Sequence, residues 1–214
     1  MLTHPNEISS LVFDLDGTLY ICPQVVDEIQ RAAEKLVADS RGISRSAARD
    51  LIRCAKRRLT EILDEEPTLT RTCMELGIEV PEFHRALQQG VYPEKYLSPD
   101  PVLGALLDSL RGHCELYIFT NNSLPLARKI LALLGVEEHF SRLYTIEFSW
   151  IPKPDPESFQ RVMEDIGGPL ESFLFIGDRR QVDLKIPDSL GIATLLVSET
   201  ADILQIHKFL GIIP

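Results

Sequence analysis

Residues 11–18 read Leu-Val-Phe-Asp-Leu-Asp-Gly-Thr, a short apolar run followed by two carboxylates and a glycine. An apolar run that ends in a polar turn is typical of a buried parallel strand. Asp14 and Asp16 then come together where the strand ends, because the chain turns at Gly17. One carboxylate can attack while the other handles a proton, or both can help to hold a cation. The alternative is a solvated Asp-Gly turn, which the end of a buried strand disfavours because both charges need partners there.

Four further apolar runs have the same form, and helix-like segments lie between them. The runs are Glu115–Phe119, Leu143–Ile146, Phe173–Ile176 and Ala193–Val197, of which the second is the weakest. The helix-like segments are Leu126–Leu134, Pro156–Ile166 and Leu184–Leu190. Strands that alternate with helices predict an α/β fold, a doubly wound, Rossmann-like parallel sheet covered by helices on both faces. Such a sheet binds its ligand at the carboxyl ends of the strands, where the polar residues of this chain cluster.

Residues 21–99 interrupt this alternation with almost no strand-like run. They contain four helix-like segments, namely Val25–Asp39, Arg45–Leu63, Leu69–Leu76 and Pro81–Gln89. We therefore predict that residues 1–20 and 100–214 form the core. Residues 21–99 are expected to form an all-helical domain, inserted after the first strand as a lid over its end.

The acidic composition argues against two classes of binding partner. The chain has 32 acidic and 22 basic residues and a net charge of −10. Binding to nucleic acid needs a dominant positive field, and binding to an anionic membrane surface needs basic residues. We therefore expect neither nucleic acid nor a membrane as a partner.

The cysteines and the N-terminus predict a cytoplasmic protein. The first residues lack the basic start and apolar stretch of a signal peptide. No apolar run approaches the roughly 20 residues of a membrane helix. The cysteines form no CxxC or Cys/His cluster, which favours free thiols over a zinc or redox site; they are Cys22, Cys54, Cys73 and Cys114.

Four short motifs, in order along the chain, resemble those of the haloacid dehalogenase (HAD) superfamily. Residues 13–19, Phe-Asp-Leu-Asp-Gly-Thr-Leu, resemble motif one, DxDGT, in its phosphatase form. Thr120, at the end of an apolar run, resembles motif two, and Lys153, between two prolines, resembles motif three. Asp178 and Asp183 resemble motif four, GDxxxxD. Together the motifs span the whole predicted core.

The resemblance implies a role in phosphoryl transfer for the first three motifs. Asp14 would be the nucleophile that forms an aspartyl-phosphate, and Asp16 would protonate the leaving oxygen and then take a proton from water. The Thr120 hydroxyl and the Asn121 backbone N–H would bind the transferring phosphoryl group, with a helix N-cap as the alternative. Lys153 would offset the negative charge at the site, with a solvated surface lysine as the alternative.

The resemblance also implies a bound Mg²⁺ ion. Asp14, the backbone carbonyl of Asp16 and Asp178 would be its ligands, since Mg²⁺ prefers a few hard oxygen ligands and keeps several waters. Asp183 would contact the metal through water or orient Lys153. The alternative for Asp183 is an N-cap of the helix that follows it.

The helical insertion resembles the type-1 cap of this superfamily, which closes over the core and selects the leaving group. Arg45, Arg49 and Arg53 recur every four residues on one helix face. They form either a solvated stripe or a basic surface for a second anionic group of the substrate. Tyr20, at the edge of the insertion, is a further candidate contact.

Taken together, the resemblance predicts a magnesium-dependent phosphoric monoester hydrolase that acts on a small phosphorylated metabolite, as a monomer or homodimer. The stretch FDLDGTLY is similar to pyrimidine 5′-nucleotidase-like members, and the stretch KPDP is similar to phosphoglycolate phosphatase-like members. A nucleotide, phosphoglycolate and a sugar phosphate all stay open as substrates. The alternatives are a phosphomutase, a non-catalytic phospho-ligand binding module, and a haloacid dehalogenase, which would not use Asp16 as an acid and base.

Overall fold

The computed structural model of the protein describes residues 8–212, and its centre is a five-stranded sheet. The strands are β1 (Ser10–Phe13), β2 (Glu115–Phe119), β3 (Arg142–Tyr144), β4 (Phe173–Gly177) and β5 (Ala193–Leu196). Their spatial order is β3-β2-β1-β4-β5, and every neighbouring pair is parallel. The five predicted strands are confirmed. Residues 1–7 and 213–214, which the predicted core includes, lie outside the described residues.

Residues 8–212 contain nine α-helices. They are α1 (Pro23–Arg41), α2 (Arg45–Leu63), α3 (Leu69–Glu75), α4 (Val80–Gly90), α5 (Pro101–Arg111), α6 (Leu124–Leu134), α7 (Pro156–Ile166), α8 (Lys185–Ser189) and α9 (Ile206–Phe209). Helices α1 to α4 lie between β1 and β2 in the chain, so an all-helical insertion follows the first strand of an α/β fold. None of the helices in this part of the chain is both long and apolar enough to cross a membrane.

The central strands are buried, as expected for a parallel sheet that helices cover. Every residue of β1 and β4 is buried. A cluster of buried side chains packs beside these strands and includes Val12, Phe119, Phe159 and Phe175. Burying a side chain of this size contributes about 1.5–3 kcal/mol to stability. The residues that directly follow these strands therefore start from well-packed backbone.

The register of the sheet places the carboxyl ends of β1, β2 and β4 side by side. Phe13 lies beside Ile118 of β2 and Ile176 of β4. The N–H of Asp14 donates to the Ile176 carbonyl at 2.8 Å. The order of the strands reverses at β1, with β2 and β3 on one side and β4 and β5 on the other. Open α/β sheets bind their ligands at such a switch point.

The chain divides into two compact units, Met1–Ile21 with Leu97–Pro214, and Cys22–Tyr96. We call them the core unit and the helical unit. The side chains of Ser44 and Thr68 cap the N-termini of α2 and α3 in the helical unit. Its own apolar core is formed by side chains from all four helices, including Val25, Ala33, Val37, Ala48, Ile52, Cys73, Phe83 and Leu87.

Three helical regions of the core unit differ from the sequence prediction, and one of them is α9, where no helix was predicted. Helix α5 was not expected, although Asp100 accepts two N–H groups of its first turn at 3.0 Å and Pro101 is its first residue. The helix expected at residues 184–190 is present as the short helix α8, and a π-helical turn that was not predicted, Arg180–Leu184, precedes it. The turn brings Asp183 to the end of the sheet.

Candidate active site

Asp14 follows β1 directly, and its side chain is almost buried. Its Oδ1 accepts a hydrogen bond from the Lys153 ammonium at 2.8 Å. Its Oδ2 lies 3.5 Å from the Thr18 hydroxyl, at the outer limit of a hydrogen bond. Burial raises the pKa of Asp14 to about 8, although the charge of Lys153 opposes this shift. Oδ2 therefore has the weaker protein contact, which suits an attacking oxygen.

Lys153 is the cation at the centre of the site. Its side chain is only 2% exposed, so it is not a solvated surface lysine. The ammonium donates to Asp14 Oδ1 at 2.8 Å, to the Phe119 carbonyl at 2.7 Å and to Asp183 Oδ1 at 2.7 Å. Burial alone would lower the pKa of Lys153, but the two carboxylates outweigh it and hold the pKa above its usual value. Lys153 is therefore charged.

Asn121 holds the backbone of Lys153 in place. The Asn121 Oδ1 accepts the Lys153 N–H at 2.7 Å, and its Nδ2 donates to the Lys153 carbonyl at 3.2 Å. The peptide bond between Lys153 and Pro154 is cis. This use of the Asn121 side chain was not expected from the sequence, which indicated only its backbone N–H as a phosphate donor.

Both carboxylate oxygens of Asp16 accept hydrogen bonds. The Tyr20 hydroxyl donates to Oδ1, and the Asn122 side-chain amide donates to Oδ2 at 2.6 Å. Burial raises the pKa of Asp16, while the two hydrogen bonds favour its charged form. Tyr20 belongs to the core unit and is buried, and its expected role as a substrate contact stays a prediction. The sequence analysis predicted no role for Asn122, although a buried side-chain amide after a strand needs a hydrogen-bond partner.

Three carboxylates form an acidic cluster that could hold a cation. One oxygen each of Asp14, Asp178 and Asp183 lies within 4.8 Å of the other two. Asp178 Oδ1 is buried and, among the described residues, has no hydrogen-bond partner. Burial raises the pKa of Asp178 to about 6. A Cβ on Gly17 would lie 2.4 Å from Asp178 Oδ2, so this carboxylate fits here because Gly17 has no side chain. Unpaired hard oxygens of this kind fit Mg²⁺.

Asp183 has protein partners on both oxygens. Oδ1 accepts from the Lys153 ammonium at 2.7 Å, and Oδ2 accepts from the Arg179 backbone N–H at 3.0 Å. Residue 184, not Asp183, is the N-cap of α8 and makes no side-chain cap. Asp183 therefore holds the Lys153 ammonium and is not the N-cap of α8. Its contact with a metal through water stays a prediction. The Asp16 side chain lies outside the acidic cluster, and the role of its backbone carbonyl as a ligand stays a prediction.

Thr120 follows β2, and its side chain is buried. Its Oγ1 accepts the Asn122 backbone N–H at 3.1 Å. The N-cap of α6 is Ser123, without a side-chain cap, so neither Thr120 nor Asn121 caps this helix. A hydroxyl that accepts one hydrogen bond keeps its own hydrogen for donation. Thr120 can therefore still donate to a phosphoryl oxygen.

The arginines of α2 have partners inside the helical unit. Arg49 forms a two-pronged ion pair with Glu34, with nitrogen–oxygen distances of 2.8 and 3.0 Å. Arg53 pairs with Asp50 at 2.7 Å. The charge of Arg45 adds to that of Arg49 in lowering the pKa of the buried Glu34 carboxyl. Arg49 and Arg53 stay exposed, as in a solvated stripe, and the ion pair of Arg49 with the buried Glu34 is a contact that neither interpretation included. A basic surface for the substrate stays a prediction.

A model of the haloacid dehalogenase-like hydrolase family matches residues 8–186, which is more than half of the chain. The match begins just before β1 and ends inside α8. It therefore includes every strand-end residue described above.

Two relatives differ in the reaction that their names state. The chain is 30% identical to pyrimidine 5′-nucleotidase YjjG of Escherichia coli (strain K12) over 98 residues, 45% of this chain and 44% of that protein. It is 28% identical to haloacetate dehalogenase H-2 of Moraxella sp. (strain B) over 179 residues, 80% of this chain and 77% of that protein. The first match spans less than half of its relative. The choice between the two reactions therefore depends on the chemistry of the site.

A solved structure of a HAD phosphatase from Thermococcus onnurineus has a similar fold. The two structures align with a TM-score of 0.59, over 95% of this chain and 98% of that chain, at 18% sequence identity. At this identity the similarity concerns the fold alone.

Proposed function

Since this chain belongs to the haloacid dehalogenase-like hydrolase family, we propose that it is a magnesium-dependent phosphatase that hydrolyses a small phosphomonoester through an aspartyl-phosphate on Asp14. The observation that carries the proposal is the second carboxylate, Asp16, held by Tyr20 and Asn122 two residues after the nucleophile. A phosphatase needs a proton donor for its leaving oxygen and a proton acceptor for water. One carboxyl in a fixed position can supply both.

In the first step, Asp14 Oδ2 attacks phosphorus and the ester oxygen leaves with a proton from Asp16. The attacking group must be a carboxylate, and burial alone works against that charge. The Lys153 ammonium on Oδ1 favours the charged form and balances the charge that builds up on the phosphoryl group. In the second step, Asp16 takes a proton from the water that releases phosphate from Asp14.

Asp14, the backbone carbonyl of Asp16 and Asp178 would hold the Mg²⁺ ion, with Asp183 acting on it indirectly through Lys153. When bound, Mg²⁺ supplies positive charge that stabilises the transferring phosphoryl group. The unpaired Asp178 Oδ1 supports this assignment. Thr120 would donate its hydroxyl, and Asn121 its backbone N–H, to the phosphoryl oxygens.

Haloacid dehalogenation is the second candidate, because the haloacetate dehalogenase matches 80% of the chain. In that reaction a carboxylate attacks carbon and a halide leaves. Halide is a stable anion that needs no proton, so the second carboxylate would have no leaving group to protonate. The Asp16 carboxyl, held by Tyr20 and Asn122, therefore favours the phosphatase over the dehalogenase.

The test is a parallel assay of the two reactions. Phosphate release is measured from nucleoside monophosphates, phosphoglycolate, sugar phosphates and an aryl phosphate, and halide release from haloacetate and a 2-haloacid. Each assay is run with Mg²⁺ and again with a chelator. The proposal predicts Mg²⁺-dependent phosphate release that Asp14→Asn abolishes and that Asp27→Asn, at an exposed position, leaves unchanged. Halide release without phosphate release would refute the proposal in favour of the second candidate.

A further inference from the structure

We propose that Tyr20 and Asn122 are positioning residues that aim the carboxyl group of Asp16 at the leaving oxygen. This inference rests on the proposed phosphatase function. The two donors meet opposite oxygens of Asp16, Tyr20 at Oδ1 and Asn122 at Oδ2, the latter at 2.6 Å. Both side chains are buried, with 7% of Tyr20 and 6% of Asn122 exposed. We call this pair of donors the Asp16 clamp.

Tyr20 reaches Asp16 because the chain folds back after β1. The Gly17 N–H donates to the Tyr20 carbonyl at 2.9 Å, and Asp16 and Tyr20 form a β-bridge. Gly17 has a φ of +86°, which residues with a side chain rarely adopt. The backbone of this turn therefore sets the position of the Tyr20 ring relative to Asp16.

Asn122 reaches Asp16 from the neighbouring loop, after β2. Its N–H donates to Thr120 Oγ1 at 3.1 Å, and its carbonyl accepts the Ile146 N–H at 3.0 Å. The backbone of Asn122 is thus held from both sides. Because the side-chain amide is buried, it needs a hydrogen-bond partner, and Asp16 provides the acceptor.

The two donors together define the plane of the carboxyl group. Rotation of the Asp16 carboxyl about its terminal bond would lengthen both hydrogen bonds at once. Each oxygen keeps a second lone pair in that plane for a proton shared with the substrate. Proton transfer depends on the position of the donor, and a displacement of about 1 Å can cost on the order of 100-fold in rate. The clamp thus fixes the direction in which Asp16 can transfer its proton.

The clamp should matter only when the leaving group needs a proton. As the Asp14 oxygen forms its bond to phosphorus, the bond from phosphorus to the leaving oxygen breaks. An alkoxide oxygen is a strong base and must take the Asp16 proton as it leaves. A 4-nitrophenolate oxygen is a weak base and can leave with the electron pair alone. Disturbing the clamp should therefore slow the cleavage of alkyl phosphates and spare 4-nitrophenyl phosphate.

The test compares these two esters in Tyr20→Phe and Asn122→Ala. The measured quantity is kcat/KM with Mg²⁺, because it covers the steps up to the departure of the leaving group. The alkyl ester is the one that the wild-type protein hydrolyses fastest. The matched control is Tyr144→Phe, which removes another tyrosine hydroxyl that donates to an aspartate, Asp165, at 2.7 Å in the core unit. Tyr20→Phe keeps the ring, so it carries the test if Asn122→Ala does not fold.

The expected result is a loss in kcat/KM of about ten- to a hundredfold on the alkyl phosphate and of less than about threefold on 4-nitrophenyl phosphate. Tyr144→Phe should leave both values unchanged. Equal losses on both esters, or no loss on the alkyl ester, would overturn the inference and leave the phosphatase function standing. No phosphate release from either ester by the wild-type protein would refute the proposed function, and this inference with it.

Discussion

The ammonium nitrogen of Lys153 lies 2.8 Å from Oδ1 of Asp14, a residue 139 positions earlier in the chain. Both side chains are nearly buried, so little water screens their charges. The same ammonium binds Asp183, and the backbone around it is held by Asn121. The charge of the candidate nucleophile therefore depends on a lysine that three separate loops keep in place.

Replacing this lysine should strongly destabilise the core unit. Lys153→Met leaves Asp14 and Asp183 without their shared cation, and removing one partner of a buried ion pair costs about 3–5 kcal/mol. Urea unfolding at about pH 9, above the pKa of about 8 of Asp14, measures the loss. Adding Asp14→Asn to Lys153→Met should recover part of the lost free energy of unfolding, because one of the two unpaired carboxylates is then removed. Lys208→Met, at an exposed position, serves as the control, and a loss no larger than its own would contradict the prediction.

A side chain at Gly17 should weaken metal binding. The Cβ of Gly17→Ala would lie 2.4 Å from Asp178 Oδ2, so Asp178 must move from the acidic cluster. Gly191→Ala is a matched control in the same unit, since Gly191 also has a positive φ but its Cβ would meet nothing within 4 Å. Both variants should lose about 1 kcal/mol through backbone strain. Only Gly17→Ala should lose Mg²⁺ affinity by titration calorimetry, and equal affinities would refute the assignment of Asp178.

The buried carboxyls predict how stability depends on pH. Burial raises the pKa of Asp178 to about 6 and that of Asp14 to about 8. In the unfolded chain both are near 3.8, so the folded metal-free protein binds protons more tightly. The stability that these two groups contribute is then fully present below about pH 3.8 and lost as the pH rises through about 6 and about 8.

Mg²⁺ should reverse this trend, because it binds the charged carboxylates and competes with protons. The rise in melting temperature that Mg²⁺ causes should therefore grow from about pH 5 to about pH 9. Thermal unfolding with Mg²⁺ and with a chelator, at each pH, measures it. Asp14→Asn should remove the part of this pH dependence that lies near pH 8, the region in which Asp14 titrates. A shift of the same size at every pH would contradict the raised pKa values.

The location of the strand-end residues could be predicted from the sequence because it depends on short-range patterns. Asp14, Thr120 and Asp178 each follow an apolar run, and the parallel register brings the ends of their strands to one edge. Such patterns do not show which distant residue a side chain will contact in the folded protein. Asn122 lies 106 residues from Asp16, and their contact depends on the packing of two loops. The clamp on Asp16 could therefore not be predicted.

The arginine stripe of α2 left two interpretations open for a similar reason. A period of four residues defines a helix face, but it does not identify the charged residue with which that face forms ion pairs. Glu34 lies on α1 and is buried, and its contact with Arg49 becomes visible only once the two helices are packed together. The sequence therefore identified the face and could not identify its partner.

Two neighbouring arginines should differ in their effect on the helical unit. Arg49→Ala leaves the carboxylate of Glu34, whose side chain is 5% exposed, without its main partner. Arg53→Ala breaks an ion pair whose members are 75% and 62% exposed, which contributes little. Arg49→Ala should therefore lower the unfolding midpoint clearly more than Arg53→Ala. If instead both variants unfold like the wild type and raise KM, the stripe contacts the substrate.

The most direct test of the account is the identity of the residue that carries the phosphoryl group. The protein is mixed with Mg²⁺ and its best phosphomonoester, quenched in acid during the first turnover, and treated with borohydride, which reduces an aspartyl-phosphate to homoserine. Peptide mass spectrometry then locates the modified position, with Asp14→Asn as the control. The account predicts homoserine at position 14 in the wild-type protein and none in the variant. Phosphate release without any modification there, or with modification of another aspartate, would contradict it.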